Sequence, residues 1–340
     1  MTGVVAALAR DLAIDLGTAN TRVYATGEGI VLDEPTVMAV NERTQEVLAM
    51  GHDAWQMIGR TPPHIVAVRP LAGGAITDFD LTQRMIRLLL ERSGVNRWAR
   101  PRVLICVPSA ISEVERRAVE EAARRAGAAG VYLIEAVVAA AIGAGVPIHE
   151  PLGNLVVDVG GGTTETAVIS LGGIVALRST RVASFDIDAD IAALVRRAYG
   201  IAIGERTAEE IKIAIGSACQ GDGAEVEVRG RELTTGLAKT AIISPDEVRA
   251  AIKDSVSAIV GSVVSCLGDV PPDLAQDLIT EGAHLVGGGG RLRGLDQRLA
   301  AEIGVPVHLV PAPLDSAVLG AGRCLEAFDS LKAMFIGAER

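Results

Sequence analysis

Aromatic residues make up only 3% of the 340-residue chain. A core therefore has to be built from Ala, Val, Leu and Ile in thin, closely packed layers. Lysine is almost missing: of 32 basic residues, only Lys212, Lys239, Lys253 and Lys332 are Lys. Positive charge is also in deficit, with 42 acidic residues and a net charge of −10. Such a chain is a poor non-specific nucleic-acid binder, which needs clustered positive charge to displace counterions. The four cysteines, Cys106, Cys219, Cys266 and Cys324, form no CxxC pair, and the five His do not cluster with them. A zinc site or disulfide framework is not expected, and reduced thiols of a cytoplasmic protein are the simpler reading. No apolar run reaches the ~18 residues of a membrane span. The first ten residues, MTGVVAALAR, are too short and too weakly charged for a signal peptide.

Hydrophobic residues are plentiful, at 49%. The length fits two compact units of roughly 100–200 residues each, or one duplicated unit. A duplication is visible. Residues 13–31 read AIDLGTANTRVYATGEGIV, and residues 156–175 read VVDVGGGTTETAVISLGGIV. Each predicts a buried strand ending near an Asp, a tight Gly/Thr turn, a second strand and a Gly turn. The Ala/Gly-rich helical stretches at 134–145 and 315–322 follow the two hairpins in matched order, which suggests a hinge between two lobes. Helices are predicted at 80–93 and 112–128, the latter capped by Ser112 with Glu115 three residues on. The stretch 244–270 reads as one long helix with Pro245 at its first position. EVEVRGREL reads as a short hairpin turning at its Gly. Strands alternating with helices indicate an α/β fold.

Asp15 and Asp158 hold equivalent places in the two hairpins. Paired carboxylates of this kind suit a Mg²⁺ ion bridging nucleotide phosphates, held directly or through water. The turns beside them, Gly17-Thr18-Ala19-Asn20 and Gly160-Gly161-Gly162-Thr163, offer N–H groups and hydroxyls to phosphate oxygens. Gly287, Gly288, Gly289 and Gly290 form a further turn between a strand and a helix. Four glycines in a row suggest a flat ligand group, adenine or ribose, lying on bare backbone. No Gly-Lys-Ser/Thr follows, so this is not a Walker A loop. Trp98 stands between Arg97 and Arg100 in a predicted loop, a composition that suits the membrane interface with anionic head groups. The N-terminal segment is a weaker candidate anchor.

These motifs resemble the actin and heat-shock-chaperone ATPase superfamily. More closely, DLGTANT, GIVLDEPTVMAV, VRPLAGGAITDFD, VVDVGGGTTETAVISLGGIV and GGGGRLRGLD are similar to segments of MreB-type bacterial actins, in the family order from about Leu12 to Glu326. The resemblance implies an actin-like fold, a duplicated ribonuclease-H-like architecture of two lobes with four subdomains. Residues 1–150 would form the first lobe, with a small subdomain at about 32–66. Residues 151–320 would form the second, with a small subdomain at about 182–243, and 321–340 would return to the first lobe as a helix. It implies ATP with Mg²⁺ as ligand, and Glu209 and Lys212 as the family's Glu-x-x-Lys on the ribose and adenine side. It implies membrane-associated filaments of the chain itself, on anionic lipids at the inner face of the plasma membrane. Cell-wall synthesis and shape-determining membrane proteins would be the partners.

Three segments depart from the family pattern. The family's water-positioning carboxylate follows a first Glu, but here Glu135 is followed by Ala136. Thr163, the family's other water contact, is kept. Where the family has Arg-Val/Ile-Gly-Gly-Asp, this chain reads Arg181-Val182-Ala183-Ser184-Phe185, and Val286 replaces a Thr. Slow or lost ATP hydrolysis is the expectation, with Thr163 retained and Glu135 a doubtful substitute. The alternatives are a degenerate regulator of an active paralogue and, from other classes, a small-molecule kinase or a chaperone ATPase. The kinase lacks room for a sugar-binding insertion. The chaperone lacks a following substrate-binding region.

Overall fold

A computed structural model describes residues 10–94, 101–220 and 223–337. Two compact units are formed, one from the residues up to Pro151 with Ile169–Gly173 and those from Leu314 on, the other from Leu152–Val168 and Ile174–Pro313.

The first unit begins with β1 (Leu12–Leu16), β2 (Asn20–Ala25) and β3 (Gly29–Pro35), followed by β4 (Met38–Asn41), β5 (Glu46–Met50), α1 (His52–Met57) and β6 (Ile65–Val68). The short β7 (Leu71–Ala72) and β8 (Ala75–Ile76) lead to α2 (Phe79–Arg92), β9 (Arg102–Val107), α3 (Glu113–Ala126), β10 (Gly130–Glu135) and α4 (Ala136–Ala144). Its main sheet has the order β10-β9-β1-β2-β3, and β4 lies between β5 and β6 in a smaller one. β1 runs antiparallel to β2 and parallel to β9. The capping box on α3 is formed, with the Ser112 hydroxyl accepting from the Glu115 N–H.

The second unit contains β11 (Asn154–Val159), most of β12 (Thr164–Ser170) and of β13 (Gly173–Thr180), whose joining residues Ile169–Gly173 count with the first unit, then α5 (Ser184–Tyr199), β14 (Ile201–Ala202), α6 (Glu205–Ile215), β15 (Val226–Glu232) and β16 (Ala238–Ile243). Then come α7 (Pro245–Ala251), α8 (Lys253–Leu267), α9 (Pro272–Glu281), β17 (Ala283–Val286), α10 (Leu295–Ile303) and β18 (Val307–Leu309). Its main sheet, β13-β12-β11-β17-β18, repeats the order of the first. In both, an antiparallel hairpin meanders one way and two parallel crossover strands add the other way. The duplication read from the two Asp hairpins thus extends to whole sheets. α11 (Ser316–Glu326) belongs to the first unit.

Both cores are aliphatic. One cluster gathers Leu155, Val157, Ile187, Ile191, Ile211, Ile259 and Leu295, the other Leu12, Ile14, Met85, Ile105 and Leu133, and no aromatic side chain is fully enclosed in either. Small residues close the gap elsewhere. On α4 and α11, a Cβ at Gly143 would strike the Ser316 carbonyl, and one at Gly320 the Ala139 carbonyl. The two helices touch backbone to backbone, where any side chain would hold them apart.

Two local expectations need correction. The stretch 244–270 is not one helix: α7 and α8 meet at Ile252 with a 54° bend. Val248, Ile252, Val256, Ile259, Val260 and Val263 are all buried. Pro245 does occupy the first turn of α7, behind the Ser244 cap. Gly230 is not a turn residue either. It lies inside β15, and the hairpin turns later, before β16, at 233–237. A Cβ at Gly230 would meet the Ala202 carbonyl and Ile201 of β14, so the glycine admits a neighbouring strand.

Candidate functional site

Asp15 is the penultimate residue of β1, and Asp158 the penultimate residue of β11. Equivalent strands in equivalent sheets thus present a carboxylate at equivalent places, each followed by a tight turn.

In the first unit, a Cβ at Gly17 would lie 2.6 Å from the Asn20 carbonyl, so the turn closes only on glycine. Thr36 braces it: its hydroxyl donates to the Gly17 carbonyl at 2.7 Å, and its N–H donates to the Ala19 carbonyl at 2.8 Å. The Thr18 hydroxyl accepts from the Gly74 N–H at 3.2 Å. Burial pushes the Asp15 carboxyl up to about 6, with Arg22 acting against that rise and Asp315 and Asp33 adding to it. Arg22, directly across the strand pair from Asp15, is a site residue the sequence reading missed. Arg22 is buried, at 6% exposure, and its guanidinium pairs with Asp33 and Asp315 at 3.2 Å each and donates to the Leu314 carbonyl at 2.9 Å. The available signal was a cross-strand pairing of opposite charges in an otherwise apolar hairpin.

In the second unit, the Gly160 N–H donates to the Thr163 carbonyl at 2.9 Å, which closes the turn. The start of α5 holds it from behind. The N–H of Ser184 donates to the Gly160 carbonyl at 3.2 Å, and that of Phe185 to the Gly161 carbonyl at 2.9 Å. The Thr164 hydroxyl donates to the Val182 carbonyl at 2.8 Å. Carbonyls of the turn are thereby occupied. Among the described residues, the N–H groups of Gly161 and Gly162 have no such partner, which suits a phosphate.

The glycine run lies against the same strand end. Gly287 has φ +81°, and a Cβ there would collide with the Asp158 carboxylate and the Val159 carbonyl. A Cβ at Gly289 would collide with Val159, and one at Gly290 would press on Leu285 at 3.0 Å. Packing within the unit therefore requires glycine at 287 and 289 before any ligand is considered. The run brings its backbone to Asp158, as a nucleotide-binding turn would have to.

Lys212 does not stand free. Its ammonium donates to the Ser184 hydroxyl at 2.6 Å, the Asp188 carboxylate at 2.9 Å and the Ser184 carbonyl at 3.4 Å. Burial pushes Asp188 up to about 6, with Lys212 opposing that rise and Glu209 and Glu205 adding to it. Glu135 ends β10 opposite Val107, and Ala136 opens α4. The strand does not stop one residue early, the condition for Glu135 to stand in for the missing carboxylate. Trp98, Arg97 and Arg100 lie outside the described residues.

Among the described residues no group of three or more His, Cys, Asp or Glu could hold a metal. Mg²⁺ does not require one, since it is commonly held by one or two carboxylates with waters and substrate phosphates. Single carboxylates at Asp15 and Asp158, each beside a turn, fit that habit. When bound, the ion would neutralise phosphate charge and draw the oxygens to the turns.

Two sheets of one topology, each with its Asp-led turn, define an actin-like fold. The comparisons resolve the class further. The family profile described as MreB/Mbl protein matches residues 9–333. The chain is 47% identical over 326 residues to the cell shape-determining protein MreB of Escherichia coli K12, covering 94% of each. It is 44% identical over 325 residues to the cell shape-determining protein Mbl of Bacillus subtilis, covering 95% of this chain and 98% of that one. Among solved structures, MreB5 of Spiroplasma citri bound to AMPPNP has a TM-score of 0.91 and 35% identity, covering 96% of this chain and 98% of that one. The MamK double helical filament shares the fold, with a TM-score of 0.79 at 16% identity over 93% of this chain and 98% of that one. The chain belongs to the MreB/Mbl family.

Proposed function

We propose that this protein is a nucleotide-binding cytoskeletal actin that assembles into filaments on the inner face of the plasma membrane and organises cell-wall synthesis in shape determination. The observation that carries the nucleotide part is the matched pair Asp15 and Asp158, each at the end of its strand and before a tight glycine-led turn. Support comes from MreB5 of Spiroplasma citri, a relative whose structures are described as bound to AMPPNP and to ADP. In this reading Asp15 and Asp158 hold Mg²⁺, and the turns Gly17–Asn20 and Gly160–Thr163 cradle the phosphates of ATP. Filament formation is favoured by the fold shared with MamK and by the family's name as cell shape-determining proteins.

Membrane contact is peripheral in this reading. Among the described residues no single helix is long and apolar enough to cross a bilayer. Trp98 with Arg97 and Arg100 supplies an interfacial ring flanked by two cations. Ala136 favours a second reading, a slow or inactive ATPase that regulates an active paralogue.

The test of the nucleotide site is Asp158→Ala. Mg²⁺-dependent ATP binding, measured by calorimetry, is expected to vanish while circular dichroism stays unchanged. ATP affinity equal to that of the parent would remove Asp158 from the site.

A further inference from the structure

Histidines that lie far apart in the sequence meet at the rim of the second unit's main sheet. β17 and β18 run parallel, with His284 directly beside His308. Ala283 and Leu285 of β17 and Val307 of β18 pack on the aliphatic core of the unit. Successive residues of a strand point to opposite faces, so both imidazoles stand on the other face, on strands about 4.7–4.9 Å apart. β18 ends the sheet, which makes His308 an exposed rim residue. His284 lies one strand further in and is half-buried, with Val156 of β11 as its other neighbour. Among the described residues neither ring has a hydrogen-bond partner.

The surroundings select a cation. Gly282 closes α9, and its missing side chain makes room for the His308 ring: a Cβ there would lie 3.2 Å from Nε2. The C-terminal end of a helix carries partial negative charge. Burial first, and His308 second, push the His284 imidazole below its usual pKa, with Glu281 opposing them. His284 is thereby kept neutral near pH 7, with a lone pair to offer. An anion would be repelled by Glu281 and the helix end, and a proton is disfavoured on His284. The cation that suits is one that coordinates neutral imidazole, as Zn²⁺, Ni²⁺ and Cu²⁺ do. Mg²⁺ and Ca²⁺ prefer oxygen ligands. Zn–N bonds of ~2.0–2.1 Å in a tetrahedral site set two nitrogens roughly 3.3 Å apart, a span that imidazoles on neighbouring strands can close by side-chain rotation. No third side chain joins the pair among the described residues, so water fills the remaining positions.

We propose that His284 and His308 form a two-imidazole site for a divalent ion of the Zn²⁺ class, which clips the edge strand β18 to β17. The site uses none of the residues assigned to the nucleotide and stands whether or not that reading holds. Its sequence signal is weak, because the two histidines belong to different strands and only the parallel register pairs them.

Calorimetric titration of the full chain with Zn²⁺ alone, without nucleotide, tests it. The expected result is one high-affinity ion per chain. His284→Ala and His308→Ala should each weaken it at least tenfold, since even the loss of a ligand's own hydrogen-bond partner costs about 10–100-fold. His64→Ala should leave it in place. Zn²⁺ should also raise the thermal midpoint of the parent, and not that of His308→Ala. Electron paramagnetic resonance of the Cu²⁺-loaded chain should show two nitrogen ligands in the parent and at most one in His308→Ala. His308 is exposed, so its substitution keeps the test open if His284→Ala does not fold. A parent that takes up no Zn²⁺ overturns the proposal. So does an affinity that His308→Ala leaves unchanged, or a Cu²⁺ spectrum with a single nitrogen.

Discussion

If the proposed nucleotide site turns ATP over, Ala136 is the residue expected to limit the rate. It opens α4 directly after Glu135, and Glu135 remains within β10. A side chain that positions a water and accepts its proton typically contributes ~10²–10⁴-fold. Ala136→Glu is therefore expected to raise steady-state phosphate release by about 10²-fold or more over the parent. Equal rates in parent and variant would show that the carboxylate is not needed in this chain. Other residues differ in how far the sequence exposed them. The equivalent places of Asp15 and Asp158 at the ends of their strands are legible in the sequence, because repetition singles them out from ordinary turn caps. Arg22 was not, since a charged residue in an alternating strand ordinarily marks the solvent face. Only the register, which sets it against Asp15 with Asp33 and Asp315 nearby, reveals a buried cation. The sequence marks Lys212 through the family's Glu-x-x-Lys, but its capture by Ser184 and Asp188 depends on how two helices pack.

At the scale of elements, helix contact explains the Ala/Gly composition of α4 and α11. Gly143 and Gly320 lie where one backbone rests on the other. Gly320→Val should lower stability by about 1–3 kcal/mol through overpacking, read as a lower urea midpoint at unchanged slope. An unchanged midpoint would mean that the helices separate at no cost. The small-residue pattern announced this contact, and the capping box of α3 announced that helix start. The break at Ile252 was hidden, because neither Pro nor Gly marks it and hydrophobic periodicity runs on through both helices. Gly230 misled for a related reason. Glycine signals a turn and a close strand approach alike, and only the neighbouring β14 decides between them.

For the whole molecule, the repeated hairpins announce the architecture, because each Asp turn is built on its own sheet. The shared strand orders bear this out. Scarcity of aromatics correctly foretold two aliphatic cores. Sedimentation of the full chain with and without Mg²⁺-ATP and anionic liposomes checks the proposed nucleotide-dependent filament at a membrane. The expected result is a pellet that needs ATP, grows with liposomes, and loses the liposome gain in Trp98→Ala or at high salt, which screens Arg97 and Arg100. Protein that stays in the supernatant with Mg²⁺-ATP and anionic liposomes both present would contradict it.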